Sequence, residues 1–210
     1  MMDSSSSSDD LKRTACQMAW KELARDNPQG AAEALHHLAE ESAKDEVIAE
    51  VWVAMLGWVD DLDHLEREIR RIASRMAKVS KVVSQISLTI HKAWSRQSGS
   101  LPPAPRESLI GLGVDLLDFC IESAPPPKPK DRAELYLRRA QLLCWAGPLA
   151  DERALLDYEV ALSLVEDHSE GWFMLARLHL QRGRWEKAAL AAIESKKRGF
   201  DELRVGWMLS

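Results

Sequence analysis

With 210 residues and 46% hydrophobic content, the chain is long enough for one large or two small domains around a substantial core. A formal net charge of −5 argues against a general nucleic-acid-binding protein, because such proteins carry a basic face. Three widely spaced cysteines are an odd number, so they indicate no disulfide framework. These properties predict neither a nucleic-acid partner nor a disulfide-stabilised fold.

The first segment, residues 1–9, is rich in serine and poor in apolar residues, so we predict a disordered tail. It lacks the basic and apolar regions of a signal peptide. The most apolar stretch, residues 47–59, is too short for a membrane span, which needs about 20 residues. The sequence therefore predicts a soluble, cytoplasmic protein with no membrane span.

Two short helices are predicted next, over residues 10–26 and 28–42. Apolar residues recur at helical spacing in both segments. Asn27 and Pro28 separate them, because asparagine caps a helix and proline fits its first turn. We therefore expect a helical hairpin.

Residues 44–94 predict one long helix. Apolar residues alternate at three- and four-residue spacing from Ile48 to Ala93, the pattern of coiled-coil-like packing, and such a helix is about 70 Å long. The positions beside the stripe are apolar or small, which favours a bundle within the chain or with a partner over a parallel dimer. Antiparallel pairing of two copies stays open. The candidate assembly seam consists of Trp58, Leu62, Leu65, Ile69, Ile72 and Met76.

Two proline-containing breaks divide the rest of the chain. Residues 95–105 predict a flexible linker, and residues 106–124 predict a further helix. The segment 125–130, PPPKPK, predicts a stiff extended linker and the main domain boundary. Residues 10–94 would form the hairpin and the long helix, and residues 131–210 a separate repeat region.

The region after the second linker repeats itself. Small and aromatic residues at Tyr136, Ala140 and Gly147 recur 36 residues later, and those at Ala154, Tyr158 and Ala161 recur 34 residues later. Each unit therefore predicts two helices with small residues where they touch, and the whole chain predicts an all-α protein. The recurring residues are Trp172, Ala176 and Gly183, followed by Ala188, Ala192 and Ser195.

The second unit resembles the tetratricopeptide repeat (TPR), whose pattern opens W-x2-L-G-x2-Y. The resemblance covers residues 133–202; the first unit departs more from the pattern, and the usual proline after the second helix is absent from both. The matching residues of the second unit are Trp172, Leu175, Ala176 and His179, then Gly183, Trp185 and Ala188.

The resemblance implies a concave face, built by the first helix of each pair, that binds a peptide or helix of another protein. Two repeats seldom bury their own core. Other helices of the same chain could therefore cover this face, in which case its residues would be internal packing and would not bind a partner. Residues 201–210 look like a short C-terminal cap. The implied partner-binding residues are Glu134, Leu137, Gln141, Cys144 and Trp145, with Glu170, Phe173, Arg177, Leu180 and Gln181.

The sequence contains no arrangement typical of a catalytic or metal site. Gly111 and Gly113 lack the third glycine and the preceding strand of a phosphate loop, and His36 and His37 fit a solvated helix face. We therefore expect no enzyme activity, no metal and no cofactor. The function predicted is a protein-binding scaffold or adaptor. The alternatives are an oligomerising structural subunit that assembles through the long helix, and a chaperone-like regulatory partner of a larger complex.

Overall fold

The computed structural model describes residues 4–97, 103–147 and 150–200. Within these ranges the chain forms ten α-helices and one 3-10 helix and no strand, which confirms the all-α prediction. It divides into two compact units, Met1–Ala124 and Pro125–Ser210, at the proline-rich segment. The α-helices are α1 (Ser4–Leu23), α2 (Pro28–Leu35), α3 (Glu46–Leu56), α4 (Leu62–Met76), α5 (Ser80–Gln97), α6 (Pro103–Ser123), α7 (Pro129–Ala146), α8 (Asp151–Leu164), α9 (Ser169–Gln181) and α10 (Trp185–Lys197).

The prediction of one long helix is wrong, because α3, α4 and α5 replace it. The first break follows Gly57. There the Asp61 carboxylate accepts hydrogen bonds from the backbone N–H groups of Asp63 and His64, both at 3.0 Å, and so caps a new helix. The second break lies between Met76 and Ser80. Periodicity did not detect the breaks because the apolar residues of all three helices share one core.

The predicted hairpin is formed by α1 and α2. Asn27 caps α2 by accepting a hydrogen bond from the Gly30 N–H at 3.1 Å, and Pro28 occupies the first turn. A disordered tail was expected over residues 1–9, but α1 begins at Ser4, so residues 4–9 are helical. Residues 1–3 lie outside the described residues. A 3-10 helix, His36–Glu41, replaces the last turns of the predicted second helix.

In the first unit, α3 packs against α1 and α2, and α5 packs against both α3 and α6. The buried Thr89 hydroxyl of α5 donates a hydrogen bond to the Val53 carbonyl of α3 at 2.8 Å. The helix α4 contacts α3, α5 and α6. The helix α6 begins at Pro103, inside the predicted 95–105 linker, since proline is tolerated in the first turn of a helix.

Most of the candidate assembly seam is buried inside the first unit. Leu65, Ile69 and Ile72 are completely buried, and Met76 is 8% exposed. Only Trp58 and Leu62 are half-buried, and the Arg96 guanidinium covers the Trp58 ring at 5.4 Å. The seam is therefore core of this unit and is not a free surface. The bundle interpretation of the stripe agrees with this burial.

The second unit consists of two helical hairpins, α7 with α8 and α9 with α10, and α8 packs against α9. Alanines lie where the helices cross, which permits close approach: Ala140, Ala154, Ala176 and Ala188 are each at most 6% exposed. A β-carbon on Gly171 would lie 3.1 Å from a Leu162 methyl and 3.3 Å from a Leu137 methyl. The start of α9 is thus fitted against side chains of both preceding helices.

A buried ion pair joins α7 to α8. The Arg139 guanidinium donates two hydrogen bonds to the Asp157 carboxylate, at 2.7 Å and 2.6 Å. Both residues are buried, with 8% and 4% exposure. The bidentate geometry satisfies both charges inside the hairpin.

Candidate functional site

The ten residues implied as partner-binding lie on two helices of the second unit, and we call this set the α7/α9 face. Glu134, Leu137, Gln141, Cys144 and Trp145 belong to α7. The others belong to α9, and on both helices the first four residues are spaced by three or four and the fifth follows directly, which places them along one side of the helix. These are Glu170, Phe173, Arg177, Leu180 and Gln181.

The structure brings the two halves of this face together around Tyr158 of α8. Burial raises the pKa of the Cys144 thiol to about 11, and the positive charge of Arg177 acts in the opposite direction. Burial also raises the pKa of Tyr158, which lies near the charges of Glu170 and Arg177. Side chains from α7 and α9 are therefore electrostatic neighbours, and the thiol stays protonated at neutral pH.

Accessibility separates the α7/α9 face into two groups. Leu137 is 4% exposed and lies beside Gly171, so it is internal packing. Phe173 is half-buried and stacks on Phe200, with ring centroids 4.5 Å apart. For these two residues the alternative of internal packing applies. The accessible members are the exposed Glu170, Arg177 and Gln181, and the half-buried Glu134, Gln141, Cys144, Trp145 and Leu180.

The charges of the face are unevenly compensated. On α7, Arg138 bonds to the Glu134 carboxylate at 2.6 Å and donates to the Gln141 side-chain oxygen at 3.0 Å. Within the part of the chain that the structure describes, no carboxylate forms an ion pair with Arg177. The face therefore combines one exposed cation, without an ion-pair partner among the described residues, with several half-buried apolar side chains.

His179 lies at the junction of α8, α9 and α10 and is 3% exposed. Burial lowers its pKa below the usual 6.5, as do Lys187 and Arg184, while Glu159 and Glu152 oppose the shift. Its Nδ1 atom is buried without a hydrogen-bond partner. The folded second unit therefore favours the neutral imidazole.

We expect the second unit to lose stability as the pH falls below about 6.5, because the unfolded chain then binds a proton at His179 more readily than the folded chain. The contribution is complete above that pH and is lost as the pH falls through the lower folded pKa. In His179→Leu the free energy of unfolding should depend less on pH between about 7 and 5. Urea unfolding at several pH values measures this, and parallel curves for both proteins would contradict it.

The first hairpin repeats the turn geometry of the second unit, although the sequence resemblance did not extend to it. The spacing from Ala19 through Asp26 to Ala31 equals the spacing from Ala176 through Gly183 to Ala188. Asp26 and Gly183 both have a positive φ, of 61° and 65°. In both turns the backbone N–H of the next residue donates a bond of 2.9 Å to a carbonyl five residues earlier. The alanine spacing was a usable signal, but aspartate at the glycine position concealed it.

The described residues contain neither a metal-binding cluster nor a helix suited to span a membrane. No group of three or more histidine, cysteine or acidic side chains there is placed to hold a metal ion. None of the helices described is both long and apolar enough to cross a bilayer.

Comparison with known proteins rests on structure alone. No protein-family model matches the chain, and no curated protein matches it in sequence. The chain is similar to the TPR protein TTC0263 of Thermus thermophilus, with a TM-score of 0.65 and 14% identity, over 94% of this chain and 96% of that one. It has a TPR-like fold. The structure of pilF from Pseudomonas aeruginosa is also similar, with a TM-score of 0.71 and 12% identity, over 95% of this chain and 82% of that one.

The TPR-like region is larger than the sequence indicated. The sequence resemblance covered residues 133–202, whereas both structural matches extend over nearly the whole chain and so include the first unit. The repeated turn geometry of α1 and α2 agrees with this extension.

Proposed function

We propose that this protein is a non-enzymatic adaptor of the cytoplasm that binds a segment of another protein on its α7/α9 face. The observation that carries the proposal is the exposed Arg177, which forms no ion pair within the described residues and shares the α7/α9 face with the half-buried Trp145 and Leu180. Tryptophan and arginine are the residue types that contribute most to binding at protein interfaces. The free cysteines Cys16, Cys120 and Cys144 suit a reducing compartment.

The chemistry of the face supports one kind of partner segment. A carboxylate would pair with Arg177, and a large apolar side chain near it would cover Trp145 and Leu180. Gln141 and Gln181 supply amide groups that can bond to a peptide backbone. The partner segment is therefore a peptide or helix in which an acidic residue lies close to a large apolar one.

Selection from a random peptide library with the full chain tests this proposal. Selected peptides should share an acidic residue near a large apolar residue. Arg177→Glu should weaken their binding by about 2 kcal/mol, roughly thirty-fold, because the substitution removes a hot-spot cation and introduces repulsion. Isothermal titration calorimetry measures the change.

Lys187→Glu is the matched control, since Lys187 is an exposed cation on α10 and the net charge changes equally. The control should bind the selected peptides as the wild type does. Failure to enrich peptides with the acidic and apolar pattern, or equal weakening by both substitutions, would rule out the α7/α9 face as the binding site.

The alternative of an oligomerising subunit that uses the apolar seam has less support. Leu65, Ile69 and Ile72 are completely buried by the first unit itself, so their exposure would require unfolding. No contact in the described residues favours the chaperone-like alternative over the adaptor.

A further inference from the structure

The first unit carries a basic surface, although the protein as a whole is acidic. Residues 69–106 contain eight lysine and arginine residues and no aspartate or glutamate, whereas the whole chain has a net charge of −5. Several of these cations, together with Arg67, lie along α4 and at the turn between α4 and α5. We define the basic surface as the exposed side chains of Arg67, Arg70, Arg75, Lys78 and Lys81.

Part of this positive charge is already compensated. Arg70 bonds to the Glu66 carboxylate at 2.7 Å, and Arg67 lies near Asp61. Arg75, Lys78 and Lys81 form no ion pair within the described residues. The uncompensated charge is therefore concentrated at the turn between α4 and α5.

Arg71 is adjacent in sequence but has a different role. Its guanidinium bonds to the Glu68 carboxylate at 2.9 Å and to the buried Ser42 hydroxyl at 2.7 Å. The Trp52 indole donates to the same carboxylate at 3.3 Å. This network holds α4 against α3 and against the segment that precedes α3. The helix that carries Arg67, Arg70 and Arg75 is therefore fixed in position.

We propose that the basic surface binds an acidic segment of another protein. Between residues 48 and 96 no large hydrophobic side chain is exposed, which disfavours insertion into a membrane and stacking on nucleic-acid bases. The net negative charge of the chain repels a long polyanion, whereas a short acidic segment needs only local complementarity. From Arg67 to Arg75 the surface extends about 12 Å along α4, the length of about two helical turns.

The test measures binding of a short Glu-rich peptide to the full chain by fluorescence anisotropy. The peptide should bind at about 0.1 M salt and be released at about 1 M, because the Debye length falls from about 10 Å to about 3 Å. Lys78→Glu/Lys81→Glu should bind about ten-fold more weakly, and Lys78→Gln/Lys81→Gln should lie between this variant and the wild type.

Lys128→Glu/Lys130→Glu is the matched control, since both lysines are exposed, lie at the start of α7 and give the same change in net charge. It should retain binding. Thermal unfolding of each variant checks that the first unit is intact. Equal weakening by the control pair, or absence of salt-sensitive peptide binding, would overturn the proposal.

Three further measurements with the same variants distinguish an acidic protein segment from other ligands of the basic surface. If a DNA duplex, or vesicles containing phosphatidylserine, bound more tightly than the Glu-rich peptide, the ligand would be another polyanion and the proposal would be overturned. A salt-sensitive increase in mass in solution, abolished by Lys78→Glu/Lys81→Glu, would identify a second copy as the occupant and would also overturn it. Because these cations lie in the first unit, the result is independent of Arg177 and the α7/α9 face.

Discussion

Asp157→Ala is expected to lower the free energy of unfolding of the second unit by about 3–5 kcal/mol, because it leaves the buried Arg139 guanidinium without its carboxylate. Arg139 is only 8% exposed, so water does not replace the two lost hydrogen bonds. Hydrogen exchange, followed peptide by peptide with mass spectrometry, should show faster exchange in α7 and α8. Urea unfolding gives the magnitude.

The control for this prediction is Arg139→Met/Asp157→Leu, which removes both charges and retains apolar volume. Replacing a buried ion pair by packed hydrophobic residues is often neutral or stabilising, so the double variant should recover most of the loss. If Asp157→Ala lowers the free energy of unfolding by less than about 1 kcal/mol, the ion pair is accessible to water in the folded protein.

Leu65→Ala is expected to destabilise the first unit by about 2–5 kcal/mol, because Leu65 is completely buried and the substitution leaves a cavity. The loss should be the same at every protein concentration, and sedimentation should show no change in mass. Urea unfolding at two protein concentrations measures this.

Leu62→Ala is the matched control, because Leu62 lies on the same helix and is only half-buried. Its effect should be smaller, since it removes less buried apolar surface. A fall in oligomer mass in Leu65→Ala, without loss of monomer stability, would instead restore the seam as an assembly surface.

Local patterns predicted several helices well. The Asn27–Pro28 pair marked the start of α2, where Asn27 caps the helix as expected. The small-residue spacing predicted the two hairpins of the second unit, because close helix crossings require small side chains at fixed intervals. These features depend on a few residues that are close together in the sequence, so they can be predicted from the sequence alone.

The helix boundaries within the apolar stripe between Ile48 and Ala93 could not be predicted in the same way. A single helix and three successive helices place the same residues in a core, and apolar periodicity does not distinguish them. The decisive residues are Gly57 and Asp61, whose turn and cap begin α4. Because Asp61 is also an ordinary surface residue type, its capping role is visible only in the fold.

The candidate site shows the same limit. Motif position placed Leu137 and Phe173 on the binding face, but Gly171 packs beside one and Phe200 stacks on the other. By itself the sequence determined the helical class, the repeats of the second unit and the side of each helix on which a residue lies. Tertiary structure alone decided which of those sides are covered and where the apolar stripe divides. The reason is that burial depends on side chains contributed by distant parts of the chain, whereas periodicity reports only on neighbours along one helix.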